Sequence, residues 1–137
     1  MEFLYYFANA SLTQRILFYL LTTLRTNQRA IARSPVDCAT VIFLNDRWIL
    51  RLKLDPALGI EPCDGCWAVL NENGFPYSPS PIMTLVFNDL DAGCNPTSVM
   101  NRYHVAIVSH GMPNPEDVQC FQEQFVTGLG YRPPSLV

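Results

Sequence analysis

The sequence contains one lysine, Lys53, and two histidines, His104 and His110. Charged residues make up 15% of its 137 positions, well below the share of about 25% in an average domain. With 49% apolar residues, this is the composition of a chain that collapses on a core, and it excludes a charged disordered tail. The net charge of −3 excludes wholesale electrostatic attraction to nucleic acid. No apolar run is long enough for a bilayer: the stretch from Ile16 to Leu24 is about half of what is needed, and Arg15 bounds it. Glu2 stands where a secretory leader would carry positive charge, so no leader is expected. The P-loop, GxGxxG, HExxH, GxSxG and kinase signatures are all missing.

Backbone breakers are unevenly spread. All 7 glycines and all prolines but Pro35 follow Leu54. Charge divides at the same place. Residues 1–53 hold seven cations against three acids, a net +4, and residues 54–137 hold two arginines against nine acids, a net −7. A regular basic segment followed by a loop-rich acidic one is expected, within one compact domain spanning 1–137. Five cysteines, an odd number widely spaced, fit reduced thiols and a cytoplasmic location better than a disulfide framework.

Residues 2–8 read as a short strand or a docked tail. Ser11 and Gln14 form a capping-box pattern ahead of a helix from Leu12 to about Ala32, which Ser34-Pro35 ends. Leu17, Leu20, Leu21, Leu24 and Ile31 share one face of it. Residues 39–44 and 47–54 read as a hairpin through Asn45-Asp46, with Trp48, Leu50, Leu52 and Leu54 inward and Arg47, Ile49, Arg51 and Lys53 on a basic outer face. Further strands are expected at 67–70 and 75–77, joined by Asn73-Gly74, then at 82–87 and 103–109. An acidic loop is expected over 88–95, a short helix from Asn95-Pro96 to Arg102, and a helix from Asn114-Pro115 to about Thr127. The sum is an α+β fold: a mainly antiparallel sheet of about five strands with an N-terminal and a C-terminal helix packed on it.

Cys63-Asp-Gly-Cys66 is the sharpest local motif. Two thiolates at this spacing can share a zinc ion or form a redox disulfide, whereas Asp64-Gly65 by itself makes a turn. Zinc needs two more ligands, and Cys94, His104, His110 and Cys120 offer no second close pair. His110 stands at a strand end beside Ser109, the one place for a small hydrolase or transferase, with Ser109 or Asp89 as helper. Asp89-Leu-Asp91 with Asn88 fails the EF-hand pattern and reads as an acidic turn. Arg29, Arg33, Arg47, Arg51 and Lys53 offer a basic surface for a nucleotide or nucleic acid, or a solvated face paired with the acidic half.

With no catalytic constellation in the sequence, the expected function is protein binding without catalysis, of the inhibitor, immunity or phage anti-defence type. Its aromatics, 12% of the chain, include Tyr5, Tyr6, Tyr19, Phe75, Tyr77 and Tyr131 outside obvious core positions, with Tyr19 and Tyr77 taken as binding candidates, and Tyr and Arg are enriched at interfaces. The partner is another protein or a second copy, and no membrane is involved. The alternatives are a zinc-supported module on Cys63 and Cys66, a nucleotide or nucleic-acid binder on the arginines, and an enzyme using His110.

Overall fold

Asn45 and Asp46 organise the sheet. In the computed structural model, which describes residues 2–24, 36–54 and 60–129, both take positive φ, 52° and 60°. That is the two-residue turn whose twist matches paired strands. It joins β2 (Val36–Leu44) to β3 (Arg47–Leu54), with Phe43 opposite Trp48 and Val41 opposite Leu50. β1 (Glu2–Phe7) pairs with the other side of β3, and β5 (Ala106–Gly111) with the other side of β2. The two-residue β4 (Phe75–Pro76) extends β1 at the edge, where a residue lacking an N–H is tolerated. The order is β4-β1-β3-β2-β5, and every pairing is antiparallel. The expected α+β architecture is present, with five strands among the described residues and helices packed on them.

Helices cover both faces. On the first face lie α1 (Ala10–Tyr19, continued by a π-helical turn over Leu20–Leu24), α2 (Ile60–Asn73) and α5 (Pro115–Leu129). Ile16, Leu17 and Leu20, with Cys66 and Leu70 of α2 and Val118 of α5, meet Val41, Trp48, Leu50 and Leu52 there. The ring of Trp48 is fully buried, tilted against Phe43 and edge-on to Phe121. On the second face lie α3 (Pro81–Asp91) and α4 (Pro96–Tyr103). Met83, Val86, Phe87, Leu90 and Val99 meet Ile42 and Ile49 there. The N-terminal and C-terminal helices therefore share one face, where the side chains of Gln14 and Gln119 hydrogen bond at 3.1 Å.

Several local expectations are corrected. The cap of α1 is Asn9, whose side chain accepts from the Leu12 N–H at 2.9 Å; Ser11 lies inside the helix. The second half of the expected 12–32 helix, with Arg25, Arg29, Ile31 and Arg33, lies outside the described residues. Residues 67–70 are helix, because Cys66 and Leu70, four apart, turn inward together. The pair Asp64-Gly65 makes no turn and sits within the same helix. That helix stops at Gly74, whose N–H bonds the Leu70 carbonyl at 2.9 Å. A Cβ at Gly74 would lie 2.6 Å from the Phe7 ring and 2.7 Å from the Tyr6 carbonyl oxygen, so the crossing of α2 and β1 requires glycine.

Residues 82–87, read as a strand, are helix α3. Ser80 caps it and Pro81 occupies its first turn. Its buried positions, Met83, Val86, Phe87 and Leu90, follow helical spacing, while Ile82 and Leu85 face outward. The expected acidic loop is partly this helix, which continues through Asp91. Strand β5 begins at Ala106, because His104 takes a left-handed φ of 56° and closes α4. His104 is a helix cap and shares no strand with His110.

Candidate functional site

The largest departure from the sequence reading concerns the outer face of β3. It is not an open basic strip, since α3 lies across it. Arg51 is 8% exposed, the most buried charged residue among those described. Its Nε donates to Glu2 at 2.7 Å, and its Nη1 and Nη2 donate to the two carboxylate oxygens of Asp91 at 2.9 and 2.6 Å. Its guanidinium also stacks 5.0 Å from the centre of the Phe87 ring. Lys53 donates to Asp91 at 2.8 Å. Arg51 and Lys53 are thus paired with carboxylates. Arg51 holds the Asp91 carboxyl below its usual value through this hydrogen bonding, which outweighs the burial acting the other way.

Arg47, at the start of the same strand, is exposed and differently placed. Its guanidinium lies over the Tyr6 ring, 4.7 Å from the centroid. Tyr6 is stacked on Phe75 at 5.4 Å and meets Tyr77 edge-on at 6.3 Å. Beside this group is a pocket of about 250 Å³ lined by Leu44, Asn45, Arg47, Ile49 and Tyr77. Among the described residues no carboxylate forms an ion pair with Arg47. Burial raises the Tyr77 hydroxyl above its usual pKa, with the Arg47 charge opposing, so it remains a neutral donor and acceptor. The position of each group has a local cause: the Asn45-Asp46 turn presents Arg47, and the α2–Gly74–β4 connection delivers Phe75 and Tyr77 to the edge of β1, where the Tyr77 N–H bonds the Leu4 carbonyl at 3.0 Å.

The remaining candidates are dispersed. Arg29 and Arg33 lie outside the described residues. Tyr19 belongs to the first face, near Gly65; burial raises its hydroxyl's pKa, and Cys66 adds to this. Cys63 lies in the first turn of α2, and Cys66, 1% exposed, packs in the core. Among the described residues no group of three or more His, Cys, Asp or Glu side chains is placed to hold a metal ion. Asp89 accepts from Arg102 at 2.6 Å and from the Tyr103 hydroxyl at 2.8 Å, and Ser109 is buried opposite Val41. His110 instead meets Thr40 and Cys38. Of the aromatics that the sequence places outside the core, Tyr6 and Phe75 join Arg47 and Tyr77, whereas Tyr5 is 6% exposed and belongs to the core. Asn45, Thr40 and Cys38 carry no site signal in the sequence, because only strand pairing assembles them.

The architecture defines a layered α+β protein with one sheet between two sets of helices. No protein-family model and no curated protein matches the chain. Among solved structures, the C-terminal domain of YpbH is similar over 88% of this chain and 97% of that one, with a TM-score of 0.49 and 17% identity. Among the described residues no helix is long and apolar enough to cross a membrane.

Proposed function

We propose that this chain is a protein-binding module that acts by contact, without catalysis, through the surface formed by Tyr6, Arg47, Phe75 and Tyr77. One observation carries the reading: an exposed arginine with no carboxylate partner among the described residues lies over an aromatic group beside a small pocket. A volume of about 250 Å³ is below the roughly 300–1,000 Å³ of small-molecule sites and suits one inserted side chain. Stacking already fixes the guanidinium, so less entropy is lost when a partner engages it. Phe75, 58% exposed, supplies apolar area next to that charge. Arginine and tyrosine in this arrangement are the residue types on which binding energy concentrates. The partner that fits is a protein presenting an acidic side chain to Arg47 and Asn45 beside an apolar one for Phe75.

The test is affinity capture from the source cell's lysate with the wild-type chain, with Arg47→Glu, and with Arg15→Glu as a charge reversal at an exposed position of α1. A partner held by the wild type and by R15E, and weakened at least about tenfold by R47E, supports the reading. A partner retained equally by all three, or none from any, overturns it.

A further inference from the structure

A second group of side chains lies on β2 and β5, beside the end of β3 opposite Arg47 and roughly 20 Å from it at about 3.3 Å per residue. Cys38 and Thr40 alternate onto one face of β2, and β5 brings His110 opposite Thr40. His110 Nδ1 is 2.7 Å from Thr40 Oγ1 and 3.8 Å from Cys38 Sγ, and the thiol is 3.8 Å from the same hydroxyl. The three close a triangle. Thr40 is 2% exposed, Cys38 is half-buried and His110 is exposed, so solvent reaches the thiol and the imidazole while the hydroxyl between them is held in place. On β3 the register partners of Cys38 and Thr40 are Lys53 and Arg51.

We propose that Cys38 is a nucleophilic thiol, with His110 as its base and Thr40 as the positioning hydroxyl, and that it takes small disulfides by thiol–disulfide exchange. His110 Nδ1 accepts the thiol proton, directly or through the Thr40 hydroxyl, which can donate and accept at once. The thiolate attacks one sulfur of the disulfide; the Cys38 S–S bond forms as the original S–S bond breaks. The departing thiolate takes the proton from the imidazolium. Cys38 is oxidised to a mixed disulfide and half of the reagent is reduced to a thiol, so atoms and electrons balance. Burial, opposed by Asp91 and helped by Arg51 and Lys53, keeps the imidazole pKa below its ordinary value, so the ring is neutral at pH 7 and a weaker base than a solvated imidazole; its role rests on its position against the thiol and the Thr40 hydroxyl. Glu2 and Asp91 neutralise Arg51 and Lys53 beside the site, so access to the half-buried thiol, rather than charge, selects a small disulfide. This site is independent of the binding surface and involves no turnover.

The test exposes the full chain to oxidised glutathione at neutral pH and follows each cysteine by peptide mass spectrometry. Cys120, an exposed thiol on α5, is the internal reference. Cys38 is expected to react at least about tenfold faster than Cys120. His110→Ala and Thr40→Val should bring it down to the Cys120 rate, and Thr40→Ser should retain the fast rate. His110 is exposed, so its variant is expected to fold, and it decides the question if the Thr40 variants do not. Cys38 reacting no faster than Cys120, or undiminished in H110A, overturns the proposal.

Discussion

Arg51 shows how one side chain can join two layers. It extends from the central strand β3 toward the C-terminal end of α3 and holds Asp91 with two nitrogens and Glu2 with a third. Burial opposes its charge, and the hydrogen bonds to Asp91 and Glu2 more than offset that, leaving its pKa raised. The Asp91 carboxyl is lowered from 3.8, so its contribution to stability is complete above that value and is lost as pH falls through the lower folded value. Because the Asp91 side chain is 38% exposed, solvent screening limits the contribution to about 1 kcal/mol. Asp91→Asn should therefore unfold at lower urea than the wild type at pH 7, and the gap should narrow at pH 3. A gap that widens on acidification would contradict the pairing.

At the scale of one element, α3 is the most instructive. Ile82-Met-Thr-Leu-Val-Phe87 is a short apolar run, and periodicity alone does not separate a buried strand from a helix at that length. Ser80 and Pro81 form a sound helix start immediately upstream. The two structures predict different faces. A strand groups Met83, Leu85 and Phe87, whereas the helix buries Val86 and leaves Leu85 49% exposed. Leu85→Lys is expected to change stability by no more than about 0.5 kcal/mol. Val86→Lys should cost at least about 3 kcal/mol, because it places an unpaired ammonium against Ile42 and Ile49. Urea denaturation of both variants checks this, and the reverse order would restore the strand.

At the scale of the whole molecule, β2 and β3 belong to two cores at once. Val41 and Leu50 point into the first, and Ile42 and Ile49 into the second. Neither layer can be lost without exposing apolar area on the strands the other rests on, so unfolding should be a single cooperative transition. Leu90→Ala, a change in the second core alone, is expected to destabilise by about 2–5 kcal/mol. In a Trp67→Phe background it should shift the fluorescence transition of Trp48, buried in the first core, and the far-UV circular dichroism transition to the same midpoint. Separate midpoints would show two units where one domain is proposed. The charge division also acts at this scale: Arg51 and Lys53 from the basic segment meet Asp91 from the acidic one.

What the sequence determined by itself is local. The Asn45-Asp46 hairpin, the short helix behind Asn95-Pro96 and the C-terminal helix behind Pro115 each follow from residues that restrict their own backbone, and the structure has all three. Arg47 and Tyr77 were legible as binding candidates from residue type, though not that Tyr6 and Phe75 would bring them together. Only the tertiary structure decided that α2 and α3 are helices, because packing against the sheet settles an apolar run that local patterning leaves open. It also decided that Arg51 is buried and paired while Arg47 stays exposed. Both alternate onto one face of the same strand, and a helix laid across one end of that face is information no strand contains. The meeting of Cys38, Thr40 and His110 has the same origin: 70 residues separate Thr40 from His110 in the chain, and strand pairing reduces that to one hydrogen bond.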